Sequence, residues 1–400
     1  MHPTPHASAG RAPRAPKASS PRPTIARRQL LAAAVSLPWL GHLGGARAQD
    51  GVIKIAQSTA LTGPLGDLGS AMHQGAKAAF AGINARGGVN GRTIELVTLD
   101  DAYDVPKALA NVEKFMAERD TFALFNCMGT PMIDAMLPKV IENGIPFFAP
   151  FTGAQLSRIP TARNVFNIRA SYADEAEKLV QHLSTIGIQR IGIVYQNNAF
   201  GKEIFNAAKQ SMERLKLPGS IAVTVENNAS DAGAAAAKLA GGNLEAIVIG
   251  LAGKPTLEFV KAFRALQRGV TLYALSVMGT PATVKALGPD ATGMAISQVV
   301  PLPSNVVMPV VREFQSAWKT SGATAEPSHL ALEGYINARV FAEALQRAGR
   351  NPTRAAFIDA TWNLKKWDLG GFDINASTPD RNASRFVELT LVGRDGRFIR

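Results

Sequence analysis

The sequence predicts an α/β protein with two doubly wound parallel-sheet lobes joined at a hinge. Three observations predict it. Short apolar, β-branched runs alternate with segments of helical period over most of the chain. The alternation comes in two series, one ending at "IPFFAP" and a second opening at "RIGIVYQ". Helical stretches then return after the second series, as if the chain went back to pack on the first lobe. Four hundred residues with 46% hydrophobic and 18% charged side chains suffice for two such cores.

In order, the first strand is about Val52–Ser58 and the first helix about Asp67–Ala85, with Ala71, Ala78, Phe80 and Ile83 among its apolar positions. The turn chemistry of "GGVNGR" ends that helix. "TIELVTLDD" reads as the second strand and Val105–Arg119 as the second helix, with Asp104 as its cap. "FALFNCM", Pro131–Glu142 and "IPFFAP" give a third strand, third helix and fourth strand. In the second series "RIGIVYQ", "SIAVTVE", "LEAIVIG" and "TLYALSV" are strands. Helices near Gly201–Leu215, Asp231–Ala240 and Pro255–Arg268 separate them. Beyond "GMAISQVVP" come helical Val307–Thr320 and Leu330–Ala348, then strand-like "GGFDI" and "FVELTLV".

The formal charge of +12 is concentrated at the amino end. Residues 1–48 hold seven Arg or Lys and no acid, which leaves the rest only mildly basic. The body has no basic block of the kind that binds nucleic acid. Residues 1–48 have the layout of an export signal: an Arg-rich n-region, the apolar "LLAAAVSLPWLGHL", and Ala46-Arg47-Ala48 as a small-x-small cleavage site. Arg27-Arg28 suits the twin-arginine route; an ordinary secretory signal carrying two arginines is the alternative. Cys127 is the only cysteine, so no intrachain disulfide forms, and its apolar setting reads as a small buried residue.

Cofactor and catalytic motifs fit poorly. "ALTGPLGDLG", residues 60–69, lies where a dinucleotide fold holds phosphate, but its glycines are spaced G-x-x-G-x-x-G. Pro64 removes an N–H from the turn and Asp67 adds negative charge. There is no P-loop pattern and no G-x-S-x-G elbow. His73, His182 and His329, the histidines beyond the leader, have no paired spacing for a metal and read as surface or cap positions. A binding protein without cofactor or catalytic group is therefore expected. Its site is the crevice at the carboxyl ends of the strands. There Thr130, Thr152 and the Gly153 N–H would converge on an anion, simple helix capping being the alternative for each threonine.

The mature chain, about Val52–Phe398, resembles the extracytoplasmic binding proteins of branched-chain amino-acid ABC transporters. The motifs are "IKIAQSTALTGPLGDLG", "GAKAAFAGINARGGVNGR", "IELVTLDDAYDVPKA", "ENGIPFFAPFTGA" and "RIGIVYQNNAFGKE". The resemblance implies a type I periplasmic binding protein fold with three crossings between lobes. It implies a first lobe of residues 49–170 plus 300–383 and a second of 171–299 plus 384–400. It also implies ligand contacts at Thr130, Phe151, Thr152 and Gly153, flanking apolar side chains Leu68 and Phe200, and further contacts at Gly253 and Lys254. Where the family places an acid opposite the ligand's ammonium, this chain has Val277, and Lys254 in the cleft would favour an acidic ligand. The implied function is capture of a small amino acid or related carboxylate in the periplasm and delivery to an inner-membrane permease. A receptor subunit serving a signalling partner is the runner-up, and a dinucleotide-dependent enzyme comes third.

Overall fold

The computed structural model describes residues 51–400, so the expected export signal lies outside the described residues. The first sheet contains β1 (Val52–Thr59), β2 (Thr93–Asp100), β3 (Thr121–Phe125), β4 (Phe147–Phe148) and β5 (Val165–Phe166). Its spatial order is β2-β1-β3-β4-β5, all parallel. Between the strands run α1 (Gly66–Ala85), α2 (Val105–Ala117) and α3 (Thr130–Asn143). Asp104 caps α2 by accepting from Lys107 N at 3.0 Å, as its position predicts.

The second sheet repeats the plan. It contains β6 (Ile191–Gln196), β7 (Ile221–Val225), β8 (Ala246–Gly250), β9 (Thr271–Ala274) and β10 (Ala295–Gln298). Its helices are α4 (Tyr172–Thr185), α5 (Ala199–Arg214), α6 (Ala232–Ala240), α7 (Lys254–Leu266) and α8 (Pro281–Leu287). The order β7-β6-β8-β9-β10 matches that of the first sheet. Two late strands, β13 (Glu388–Val392) and β14 (Phe398–Ile399), extend it antiparallel beyond β10.

Between β10 and β13 the chain forms α9 (Pro309–Thr320), α10 (His329–Arg347) and α11 (Arg354–Trp362), plus a small pair β11 (Trp367–Asp368) and β12 (Asp373–Ile374). Helices α9 and α10 share one core with α1 and the first sheet. The chain thus passes between the lobes three times: after β5, after β10 and before β13. The contact of α1 with α10 is backbone to backbone. A Cβ on Gly75 would lie 1.8 Å from Ala331 O, and one on Gly334 2.0 Å from Met72 O. Each glycine leaves room for the other helix.

Several elements differ from the sequence reading. The third strand stops at Phe125, because Asn126 takes a left-handed φ of 47°. The fourth spans only Phe147–Phe148: Pro146 and Pro150 flank it, and Ala149 turns to φ 50°. Strand β9 likewise ends at Ala274, three residues short of the apolar run. Helices α4, α8 and α11 and the short β5, β11 and β14 were not anticipated.

Candidate functional site

In a 2-1-3-4-5 sheet the strand order reverses between the first and third strands, which opens a crevice at their carboxyl ends. Here that switch point falls between β1 and β3 in one lobe and between β6 and β8 in the other. The loops leaving these strands carry most of the residues expected from the sequence.

The loop after β1 is held by Asp100 at the end of β2. Its carboxylate accepts from Leu61 N and Ala102 N, both at 2.8 Å, and from Thr62 Oγ1 at 2.5 Å. Burial alone would raise this carboxyl, but the hydrogen bonds from Thr62, Ala102 and Leu61 outweigh it and hold the pKa at about 2. Next to it, Asp101 is buried and accepts from Ser58 Oγ at 2.7 Å; burial dominates there and pushes it up to about 6. These acids therefore organise the loop through its own donors, as strand-end devices. Leu68, on the first turn of α1, is buried in the apolar cluster that bridges the lobes.

Thr130 and Thr152 meet. Their hydroxyl oxygens lie 2.7 Å apart, both residues fully buried. Neither caps a helix: the N-cap of α3 is Gly129, and Thr152 Oγ1 accepts from Ala154 N at 3.1 Å in a local turn. Gly153 follows directly. A Cβ there would sit 2.5 Å from the Tyr172 ring, so the aromatic ring fills the space a side chain would need. Tyr172 N also donates to Gly153 O at 2.8 Å. From the facing lobe Phe200 meets the edge of Tyr172, centroids 5.4 Å apart. Phe151, Tyr172, Phe200 and Val277 are all buried in the bridging cluster.

Gly253 takes φ 57° at the start of α7, and a Cβ there would be 2.4 Å from Leu65 Cδ2 and 2.5 Å from Pro64 O. It is thus a closing contact between the lobes, against the loop after β1. Asp67 makes a second such contact, accepting from Thr280 and Thr283 hydroxyls at 3.2 Å each. Lys254 departs from the sequence reading. It is exposed at the first position of α7, because the backbone turns at Gly253 while that residue is packed inward.

A buried cation of this region that sequence reasoning missed is Arg169, on the first crossing, with Arg158 buried behind it and donating to its carbonyl at 3.2 Å. Its guanidinium lies 5.6 Å from the Phe151 ring centre and 5.5 Å from that of Tyr172. NH2 donates to Glu175 Oε1 at 2.9 Å and to Ser276 Oγ at 2.5 Å. Glu175 further accepts from Ser276 N at 2.9 Å and Ser297 Oγ at 2.7 Å. The carboxylate that the loop lacks at Val277 is therefore supplied to the neighbouring Ser276 by α4, but its acceptors are already occupied. On the other side Glu333 of α10 stands 3.6 Å from Arg169 NH1, beyond hydrogen-bond reach. Arg169 Nε and NH1 have no hydrogen-bond acceptor among the described residues. A lone Arg inside the apolar run "VFNIRASY" is the signal that could have found it.

Other chemistry-bearing side chains are structural. Cys127 is buried, and burial pushes its thiol up to about 12, far from a reactive thiolate. His73 bonds Gln57 Oε1 at 2.8 Å, and burial lowers it to about 4. His182 is exposed. His329 departs from the surface expectation: it opens α10 but is buried with Phe398 packed on its edge, centroids 5.2 Å apart. Among the described residues no three His, Cys, Asp or Glu side chains cluster to hold a metal.

Two sheets sharing one parallel strand order, joined by a triple crossing and with their switch-point loops in contact, define a two-lobed α/β protein. Residues 52–397 match the periplasmic binding protein family, and the chain belongs to it. The Leu/Ile/Val-binding protein of Escherichia coli strain K12 is 26% identical over 206 residues, 48% of this chain and 50% of that protein. The chain thus spans about half the length of such curated relatives in alignment. A substrate-binding periplasmic protein from Ralstonia solanacearum, of solved structure, is 33% identical with a TM-score of 0.81, covering 87% of this chain and 99% of that one. A solute-binding protein from R. palustris, solved with benzoate, shares the fold at 20% identity and a TM-score of 0.78, over 87% of this chain and 95% of that one. The family is one of binding proteins with an extracytoplasmic place of work.

Proposed function

We propose that this chain is the solute-binding component of an ABC importer. It holds a small amino acid or related carboxylate between the lobes and presents the closed form to an inner-membrane permease. The observation that carries the reading is the meeting of Thr130 and Thr152 hydroxyls beside Gly153 at the first lobe's switch point, walled by Phe151, Tyr172 and Phe200. Hydroxyls grip a carboxylate without committing a catalytic group, and aromatic walls take up an apolar side chain or ring. Closure follows because the solute touches both lobes and so binds the closed state more tightly. The named ligands of relatives, branched-chain amino acids and benzoate, both carry a carboxylate next to apolar surface.

The test is calorimetry of the mature protein against branched-chain amino acids, benzoate and aliphatic acids, with mass spectrometry of any solute retained on purification. One carboxylate is expected to bind with a Kd of about 1 μM or tighter and to be recovered unchanged. Thr130→Val should weaken that binding roughly tenfold by removing a hydrogen bond. No heat from any of these acids, or a retained dinucleotide, would overturn the reading.

A further inference from the structure

We propose that the closed protein holds a proton on Glu333, so that closing the lobes on a solute takes up a proton from solution. This coupling rests on solute-driven closure, the reading given above. It begins with a charge count in a dry place. Arg169 is buried with two carboxyl groups, Glu175 and Glu333, while the other buried cation nearby, Arg158, is engaged by Asn382 Oδ1 and the Ala154 and Arg169 carbonyls. A second uncompensated charge there is costly.

The two carboxyls are not equivalent. Glu175 takes four donors, from Arg169 Nη2, Ser276 N, Ser276 Oγ and Ser297 Oγ, so its oxygens are already fully engaged. Glu333 faces Arg169 Nη1 at 3.6 Å, outside hydrogen-bond range, and that Nη1 has no acceptor among the described residues. Burial pushes the Glu333 carboxyl up to about 7, against the opposing pull of Arg169.

The three residues belong to three parts of the molecule. Arg169 is on a crossing, Glu175 and its serine partners are in the second lobe, and Glu333 is on α10, packed in the first. The charges that act most on Glu333 are those of Arg169, which lowers its pKa, and Glu175, which raises it. Of the other ionisable groups on elements packed against α10, Asp67 accepts from Thr280 and Thr283, His73 bonds Gln57, Glu313 pairs with Arg339 and Asp359 with Arg163, Arg312 and Arg354 donate to backbone carbonyls, and Lys319 is exposed. Lys77 of α1 acts on His73.

Opening the lobes admits water to this junction and returns Glu333 toward its ordinary 4.5. Between 4.5 and about 7 the open form is ionised while the closed form must bind a proton. Closure therefore weakens as pH rises through that window and levels off above it.

The test has two arms. In the first, small-angle scattering of the ligand-free protein follows the closed fraction from about pH 5 to about pH 7.5. Wild type should open progressively, and Glu333→Gln and Glu333→Met should give flat profiles, each variant checked as folded by its thermal melt. In the second, calorimetry with L-leucine and with benzoate in two buffers of different ionisation enthalpy counts protons. Wild type should take up close to one proton per bound solute near pH 6, and its Kd should rise about tenfold or more across the window. A wild-type scattering profile that is flat or the same as the variants', or binding with no proton uptake, would overturn the coupling. If neither probe binds, the choice of solute fails while the scattering arm still decides the proton.

Discussion

The two lobes share a strand order but not a way of building a core or a cleft wall. The first lobe is cemented by aromatic rings. Phe341 alone has Phe80, Phe125, Phe148 and Phe357 at centroid distances of 4.8–6.3 Å. The second is aliphatic around its sheet, with Val194, Ile247, Ile249, Leu272 and Ile296, and its rings meet only in separate pairs such as Phe259 with Phe263 on α7, Tyr195 with Phe205 and Tyr172 with Phe200. At the cleft the first lobe brings hydroxyls and a backbone turn at Thr130, Thr152 and Gly153. The second brings Phe200, Val277 and the bare backbone of Gly253. On the proposed function the first side would grip the solute and the other cover it, and one topology serves both because the difference lives in the loops.

The largest expected effect tests the cores. Phe341→Ala should cost about 3–5 kcal/mol in guanidinium unfolding, because four rings lose a common partner. Ile247→Val in the second lobe should cost only about 1 kcal/mol. Equal losses would break the contrast between a ring-locked and an aliphatic lobe.

Next comes the cover. Gly253→Ala places a methyl against Pro64 O and Leu65 at a left-handed position, so it obstructs closure. Solute affinity should fall about tenfold or more, beyond the modest fall in unfolding midpoint that a side chain at positive φ brings by itself. Unchanged affinity would mean that the second lobe does not close against the loop after β1.

The smallest effect concerns the loop on the gripping side. Asp100 has a folded pKa of about 2 against an ordinary 3.8. The stability it contributes is thus present above the ordinary value and lost as pH falls toward 2. The thermal midpoint of wild type should therefore decline over that range more than that of Asp100→Asn. The difference should be modest, since Asp100 is exposed and screened.

Much of this architecture was legible in the sequence, and the rest was hidden for physical reasons. Apolar β-branched runs such as "LEAIVIG" mark strands buried on both faces, and β8 is one. Runs overstate a strand where the backbone leaves the extended region inside them, as at Asn126 and Ala149. Helix α4 was missed although Ser171 and Asp174 form a full capping box, a local signal that periodicity alone passes over. At the site, residues flanking strand ends were findable because loop position is tied to topology. Arg169 was not, because what gives it meaning is Glu175, Ser276 and Glu333, brought together from three separate stretches.

The reciprocal glycines of α1 and α10 bear on how the chain comes to be folded. Helix α1 ends at Ala85, while the partner that fits its notch begins at His329. The strands β6 to β10 and their helices lie between, so the second lobe's parallel sheet can assemble from continuous chain as it is made. The first lobe must wait, its helix groove uncovered, until nearly all the polypeptide has emerged. Long-range closure of this kind is slow and leaves apolar surface open to wrong partners. During synthesis, the half of the protein that starts first stays open while the parallel strands of the other half form, and that interval is when a chaperone would have something to hold.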